Sequence, residues 1–346
     1  MTTMRVVVIG SGIVGAAAAY ELSRRGAEVV VLDAGSPGQA TAAGAGIVCP
    51  WVDHPDDEPW YELARAGAVH YRELEETLGL GYARVGALLV AEDPAELDDV
   101  RELLHRRRPG APEMGDVADV RDPSGLFPPL DPALHAVLVP GAARVDGRAV
   151  RDALLRAAGA EVLHRTAVLT ESGEVAGMDA DQVVVAAGAW SGRVCAPLGV
   201  DLPVLPRRGQ IVHVTVDGAD TSGWPIVLPR RGPYLLGFPS SRVVVGATVE
   251  DAGFDPRVTM GGLDEVLSAG LRLAPGLAAA TVAETRVGLR PVLANGRPLI
   301  ARLTDRVVVA TGLGAYGLTA GPFAGLVAAA LALGEPPPID VTPYGV

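Results

Sequence analysis

The stretch "VVVIGSGIVGAAAAYELSRRGAEVVVLDAG", Val6 to Gly35, constrains this chain more than any other. An apolar run, Val6 to Ile9, leads into the glycines Gly10, Gly12 and Gly15. A helix-forming run follows from Ala16 to Arg25, and a second apolar run, Glu28 to Leu32, ends at Asp33. The order predicts strand, glycine turn, helix, strand. In such a turn the first glycine permits the sharp reversal, the second lets backbone approach a pyrophosphate, and the third lets the helix pack on the strand. The helix N-terminus offers free N–H groups and partial positive charge to phosphates, and an acid at the end of the second strand suits ribose hydroxyls. A lone glycine triplet also marks ordinary turns, but this context favours a dinucleotide; FAD and NAD share the fingerprint, and the triplet does not choose between them.

The chain has 346 residues, enough for two domains. Its net charge of -12 gives no electrostatic footprint for nucleic acid. The one basic cluster, Arg106 to Arg108, sits in a Pro/Gly-flanked segment and reads as a solvated turn. Two distant cysteines, Cys49 and Cys195, suggest neither a disulfide framework nor a metal site, and fit a reducing cytoplasm. No uninterrupted apolar stretch is expected to approach the roughly 20 residues of a bilayer span.

Beyond Asp33, "DEPWYELARAGAVHYRELEETLG" reads as an amphipathic helix, "YARVGALLVAE" as a strand and "PAELDDVRELLHRRR" as a surface helix. "GRAVRDALLRAAGAEV" reads as a helix, "EVLHRTAVL" and "ADQVVVAAGAWSG" as strands. From Pro203 to Val249 short alternating strands predict an antiparallel sheet, followed by the helix "GGLDEVLSAGLRLA". "RVVVATGLGAYGLTAGPFAGLVAAALALG" returns to strand, glycine turn and buried helix. One α/β domain is therefore expected from three pieces, residues 1–80, 140–202 and 286–346, with a mostly antiparallel β (α+β) domain inserted from 81–139 and 203–285.

Several motifs in this order resemble the D-amino-acid oxidase superfamily, closest to its glycine oxidase and D-amino-acid dehydrogenase branches. They are the opening stretch, "ATAAGAGIV", "ADQVVVAAGAWSG", "RGQIV", "VVVGATVED", "VGLRPVLANGRPLI" and "VVVATGLGAYGLTAGP". The resemblance covers nearly the whole chain and implies a Rossmann-like FAD-binding domain with a substrate domain over the flavin. It implies Ile13 and Val14 beside Gly10, Gly12 and Gly15 at the pyrophosphate, and Asp33 and Ala34 at the adenosine ribose. Thr41, Ala42, Gly46, Ile47 and Val48 are implied along the phosphates and flavin, and Val168 at the adenine through its backbone. Gly188 and Trp190 come against the cofactor, and the turn of Gly312, Gly314, Ala315, Tyr316, Gly317 and Leu318 aims helix N-terminal amides at the flavin. N–H groups there stabilise the charge of reduced flavin.

On the substrate side the resemblance implies that Arg290 grips a carboxylate, a task its forked guanidinium suits, with the Tyr234 hydroxyl assisting. The residues themselves also allow a surface arginine and a half-buried strand tyrosine. Arg207 and Arg208 are expected at a domain junction, and Trp51, Asp53 and His54 either at the entrance or in a turn with satisfied polar groups. Ala315, Tyr316 and Leu313 match neither branch cleanly, and neither cysteine lies where covalent flavin attachment requires one, so noncovalent FAD is expected and no metal.

The reaction implied is hydride transfer from a small amino or imino acid (glycine, sarcosine, a D-amino acid or a cyclic imino acid) to flavin N5, giving an imine and then a 2-oxo acid. No side-chain base is strictly needed. Oxygen or another electron acceptor takes the electrons, and a homo-oligomer is left open. The alternatives are a flavin-holding subunit of a multisubunit amine dehydrogenase, an FAD enzyme for a specialised biosynthetic amine, and an NAD-dependent dehydrogenase, for which no convincing acid/base residue is visible.

Overall fold

A computed structural model describes residues 3–345; residues 1, 2 and 346, which close the expected outer pieces, lie outside the described part. The opening stretch forms strand Arg5–Ile9, helix Ile13–Arg24 and strand Glu28–Leu32. The two strands pair in parallel, and Gln182–Val185 adds to the other side of the first. The six-stranded sheet runs Leu299–Arg302, Val307–Thr311, Gln182–Val185, Arg5–Ile9, Glu28–Leu32 and Glu161–Leu163, with only the first strand antiparallel to its neighbour. Alternate residues of the first strand serve two cores: Val6 and Val8 meet the helices, while Val7 and Ile9 meet Leu169, Cys195 and Leu202. Burial on both faces explains why these strands read as unbroken valine runs.

The helices on one face are Ile13–Arg24, Glu58–Leu78, Gly147–Ala158 and Gly317–Leu333. One expectation is corrected here. Gly314–Leu333 is a 20-residue apolar helical stretch, long enough by length and composition to cross a bilayer. In the fold most of it is buried, packed on the first and longest of these helices, and apolar all round as a core helix is.

The larger sheet has eight strands in the order Thr281–Leu293, Val204–Thr215, Arg242–Gly246, Tyr234–Phe238, Ile226–Pro229, Ala87–Ala91, His135–Val139 and Ala118–Val120. It is antiparallel except where Ile226–Pro229 meets Ala87–Ala91 in parallel. Thr281–Leu293 runs through position 286 and pairs with Val204–Thr215 as far as Leu293, so the chain leaves this sheet only there. Helix Met260–Leu273 covers one face with Val212, Val214, Val243 and Val245. The other face turns Ile211, Tyr234 and Arg290 toward the glycine turns of the smaller sheet.

Candidate active site

A single cavity of about 580 Å³ runs from the first glycine turn to the inner face of the larger sheet. Gly10 has φ +105°, and a Cβ there would stand 2.4 Å from the Ala186 carbonyl oxygen. Gly15 is tighter still, because a Cβ would reach 1.9 Å from the Gly10 oxygen. The first glycine therefore makes the turn and the third lets the helix press on it, as the spacing predicts. Thr41 Oγ1 accepts the Ile13 N–H at 2.9 Å, tying the following loop to this helix N-terminus. Asp33 is buried and accepts from Ser11 N at 2.8 Å, Ser11 Oγ, Gly35 N at 2.7 Å and Gln39 Nε2 at 3.0 Å. Burial alone would raise its pKa, but these hydrogen bonds prevail and hold it below the ordinary carboxylate value.

At the other end, Arg290 Nη1 donates to the Thr248 carbonyl at 3.1 Å and to that of Arg208 at 3.5 Å. Its guanidinium lies across Gly209, where a Cβ would come within 2.3 Å of Nη1. Among the described residues no carboxylate pairs with Arg290, a free cation on a cavity wall. Tyr234 stands beside it; burial pushes the phenol up, opposed by the Arg290 charge, so the hydroxyl stays protonated and able to donate. Arg207 and Arg208 are braces: the first pairs with Asp251 at 2.7 Å, the second is buried against Glu250 and, at 3.5 Å, Asp255.

Of the residues expected from sequence, Gly10, Gly12, Ile13, Val14, Asp33, Ala34, Thr41, Gly46, Ile47, Gly188 and Trp190 line the cavity. So do Gly314, Ala315, Tyr316, Gly317, Leu318, Tyr234 and Arg290. Five do not. Gly15 is behind the wall as packing, and Val48 is wholly buried. Ala42 turns its carbonyl to Arg148 Nε at 3.0 Å, and Gly312 turns the chain against Leu293. Val168 lies outside the lining: its carbonyl accepts the Ala176 N–H in a hairpin and its side chain is exposed, while Thr166 and Ala167 beside it line the cavity.

Sequence reasoning passed over part of the wall. Cys49 faces the cavity, and burial pushes its thiol far up, so it stays protonated and unreactive as a nucleophile. Asp53, expected either at the entrance or in a turn, also lines it, and the Tyr316 hydroxyl donates to its carboxylate. Burial first, and the Asp53 charge second, push the Tyr316 phenol well up. Behind Asp53, buried Arg107 donates to the carbonyls of Trp51 at 2.9 Å, Asp53 at 2.7 Å and His54 at 2.7 Å, and its guanidinium lies 3.8 Å from the centre of the Tyr61 ring. The basic cluster is thus not a solvated turn, since its middle arginine clamps the cavity rim.

The donor set fits the expected FAD. Gly12, Gly188, Gly314 and Gly317 present backbone to the cavity, and a Cβ at Gly188 or Gly317 would meet no protein atom within 4 Å, so the space beside the backbone is open to a ligand. Two helix N-termini, at Ile13 and Gly317, open onto it with N–H groups lacking intrahelical partners. Thr311 Oγ1 fixes the Gly188 turn by donating to its carbonyl at 2.9 Å.

Comparison with known proteins agrees with this geometry. A family model described as FAD dependent oxidoreductase, DAO, matches residues 5–331. The chain is 43% identical to an uncharacterized oxidoreductase, YurR, of Bacillus subtilis (strain 168), covering 98% of this chain and 97% of that one. It is 30% identical to a glycine oxidase of Pseudomonas putida, with 98% and 97% covered. Among solved structures, iminodiacetate oxidase (IdaA) from Chelativorans sp. BNC1 superposes with a TM-score of 0.94 at 46% identity, covering 99% and 98%. The glycine turns, the open cradle beside them and these whole-length likenesses lead to one conclusion: the chain belongs to the DAO family of FAD-dependent oxidoreductases and is an enzyme that binds FAD.

Proposed function

We propose that the enzyme oxidises the C–N bond of a small amino or imino acid whose carboxylate sits on Arg290 and Tyr234. The observation that carries this reading is the unpaired Arg290 guanidinium on the cavity wall, seated over Gly209 and flanked by a neutral tyrosine hydroxyl. A forked cation with no internal anion is complementary to a carboxylate, and a second donor beside it fixes the acid's rotation. FAD, when bound, supplies the two-electron acceptor for the oxidation. The protein's part is to hold the acid by one end, to exclude bulk water with Ile211, Val52 and Leu228, and to keep dipoles fixed at the helix N-terminus beginning at Gly317. The C–N bond becomes C=N, and water then releases the oxo acid and the amine.

The glycine oxidase and iminodiacetate oxidase likenesses support glycine and its N-substituted relatives as the first compounds to try. The two-part division expected from the sequence, with the larger sheet as the substrate part, is part of the same proposal, as are cytoplasmic residence, which the two buried free thiols fit, and noncovalent FAD. The test is anaerobic absorbance of the holoenzyme with glycine, sarcosine, iminodiacetate, D-proline and a panel of D- and L-amino acids, followed by air. Bleaching by one class identifies the substrate, and fast return of colour in air marks an oxidase. Arg290→Ala should keep stoichiometric flavin and lose that bleaching by roughly a hundredfold or more in kcat/KM, since removing one partner leaves a buried charge unpaired. Unchanged turnover in that variant would remove Arg290 from the site.

A further inference from the structure

We infer that Asp53, held by Tyr316, is a recognition site for the cationic nitrogen of the substrate, so that the pocket reads a zwitterion by both ends. This rests on the proposed carboxylate seat at Arg290. Four charged side chains line the cavity among the described residues: Asp33, Asp53, Arg193 and Arg290. Asp33 is saturated by donors from Ser11, Gly35 and Gln39, and Arg193 stacks on Phe254 at 3.7 Å, beside Trp190. That leaves Arg290 and Asp53 at the sheet end. They share that end, because Val52, next to Asp53, packs in one apolar cluster with Ile211 and Tyr234.

Asp53 is available to a ligand. It is an exposed side chain on the cavity rim, and among the described residues no arginine or histidine lies within ion-pair distance of it. Its only side-chain donor there is the Tyr316 hydroxyl, which engages one oxygen, Oδ2, and leaves Oδ1 unoccupied. Arg107 fixes the backbone of the loop from behind without touching the carboxylate, and His54 packs between Trp60 and Tyr316 with ring centroids 4.8 and 5.1 Å away. An acid held in place on a cavity wall, unneutralised from within and sharing that cavity with an equally unneutralised cation, has the charge pattern of a receptor for an α-amino acid.

The experiment separates charge from shape. Betaine and tert-butylacetate are near-isosteres that share a carboxylate; only betaine carries a positive centre, and neither has an N–H for oxidation. Calorimetric titration of the holoenzyme should give betaine roughly tenfold or more the affinity of tert-butylacetate. In Asp53→Asn, which keeps an acceptor for Tyr316, the ratio should fall to about one while tert-butylacetate binds within roughly twofold of wild type. Equal binding of the two by the wild type, no measurable binding of betaine, or an unchanged ratio in Asp53→Asn each overturns the assignment. The carboxylate seat fails separately: if Arg290→Ala weakens neither ligand, that reading falls, whereas a normal Arg290 effect with an indifferent Asp53→Asn sinks only the amine site.

Discussion

The proposed substrate grip depends on an atom that is missing. Arg290 lies flat because Gly209 on the paired strand has no side chain, and a Cβ there would overlap Nη1, Nη2 and Cζ at 2.3 to 2.5 Å. Gly209→Ala should therefore displace the guanidinium by an ångström or more, raising KM for the carboxylate substrate by roughly a hundredfold with flavin content unchanged. Steady-state kinetics beside a flavin absorbance ratio checks this, and unchanged KM would mean that Arg290 finds an equivalent pose. Gly12→Val belongs to the same scale: Gly12 lines the cavity at the helix N-terminus, so a branched side chain should occupy the cradle and yield a colourless, folded protein. Stoichiometric flavin in that variant would overturn the cradle. Arg290 was legible in sequence through its motif. Gly209 was not, because its partner lies 81 positions away in the chain and only the strand register brings them together.

The loop of residues 49–57 is shaped by an element distant in sequence. Helix Asp98–Arg107 puts its last residue under the loop, where one guanidinium satisfies three carbonyls and His54 is held at φ 54°. The sequence hid this because three consecutive arginines flanked by Pro and Gly have the composition of a solvated turn, while helical geometry sends only one of the three inward. Arg107→Met keeps a long apolar side chain but strips the carbonyls of their donor and the Tyr61 ring of its cation. It should cost about 3 kcal/mol, seen as a lower urea midpoint at unchanged slope, and should speed proteolysis in the loop. A variant as stable and as protease-resistant as the parent would show that water replaces the clamp. The strand–turn–helix elements were easier to read, since burial on both faces of the smaller sheet imposes unbroken apolar runs and the glycines punctuate them. The larger sheet was read as antiparallel, yet its parallel pair, Ile226–Pro229 with Ala87–Ala91, joins segments more than 130 positions apart and leaves no local trace.

At the scale of the whole molecule, the larger sheet meets helix Gly147–Ala158 across a polar layer that no motif announced. His213, on the Val204–Thr215 strand, is buried between Glu284 and Arg286 on one neighbouring strand, Arg242 on the other, and Asp146 at the N-cap of helix Gly147–Ala158. Arg242 pairs with Asp146 at 3.1 Å, and neither ring nitrogen of His213 has a hydrogen-bond partner among the described residues. Burial, helped by Arg286 and Arg242 against the weaker pull of Glu284 and Asp146, lowers its pKa from 6.5 to about 4. The imidazole is therefore neutral in the folded protein, while the unfolded chain takes up a proton first as the pH falls. Stability from this site is complete above 6.5 and is lost progressively as pH falls toward 4, by at most about 3 kcal/mol. His213→Gln removes the titrating group while keeping polar atoms in place, so its urea midpoint should fall less steeply across that window than the wild type's. Parallel curves for the two proteins would mean that His213 is protonated in the fold, with Glu284 and Asp146 outweighing both burial and the two arginines.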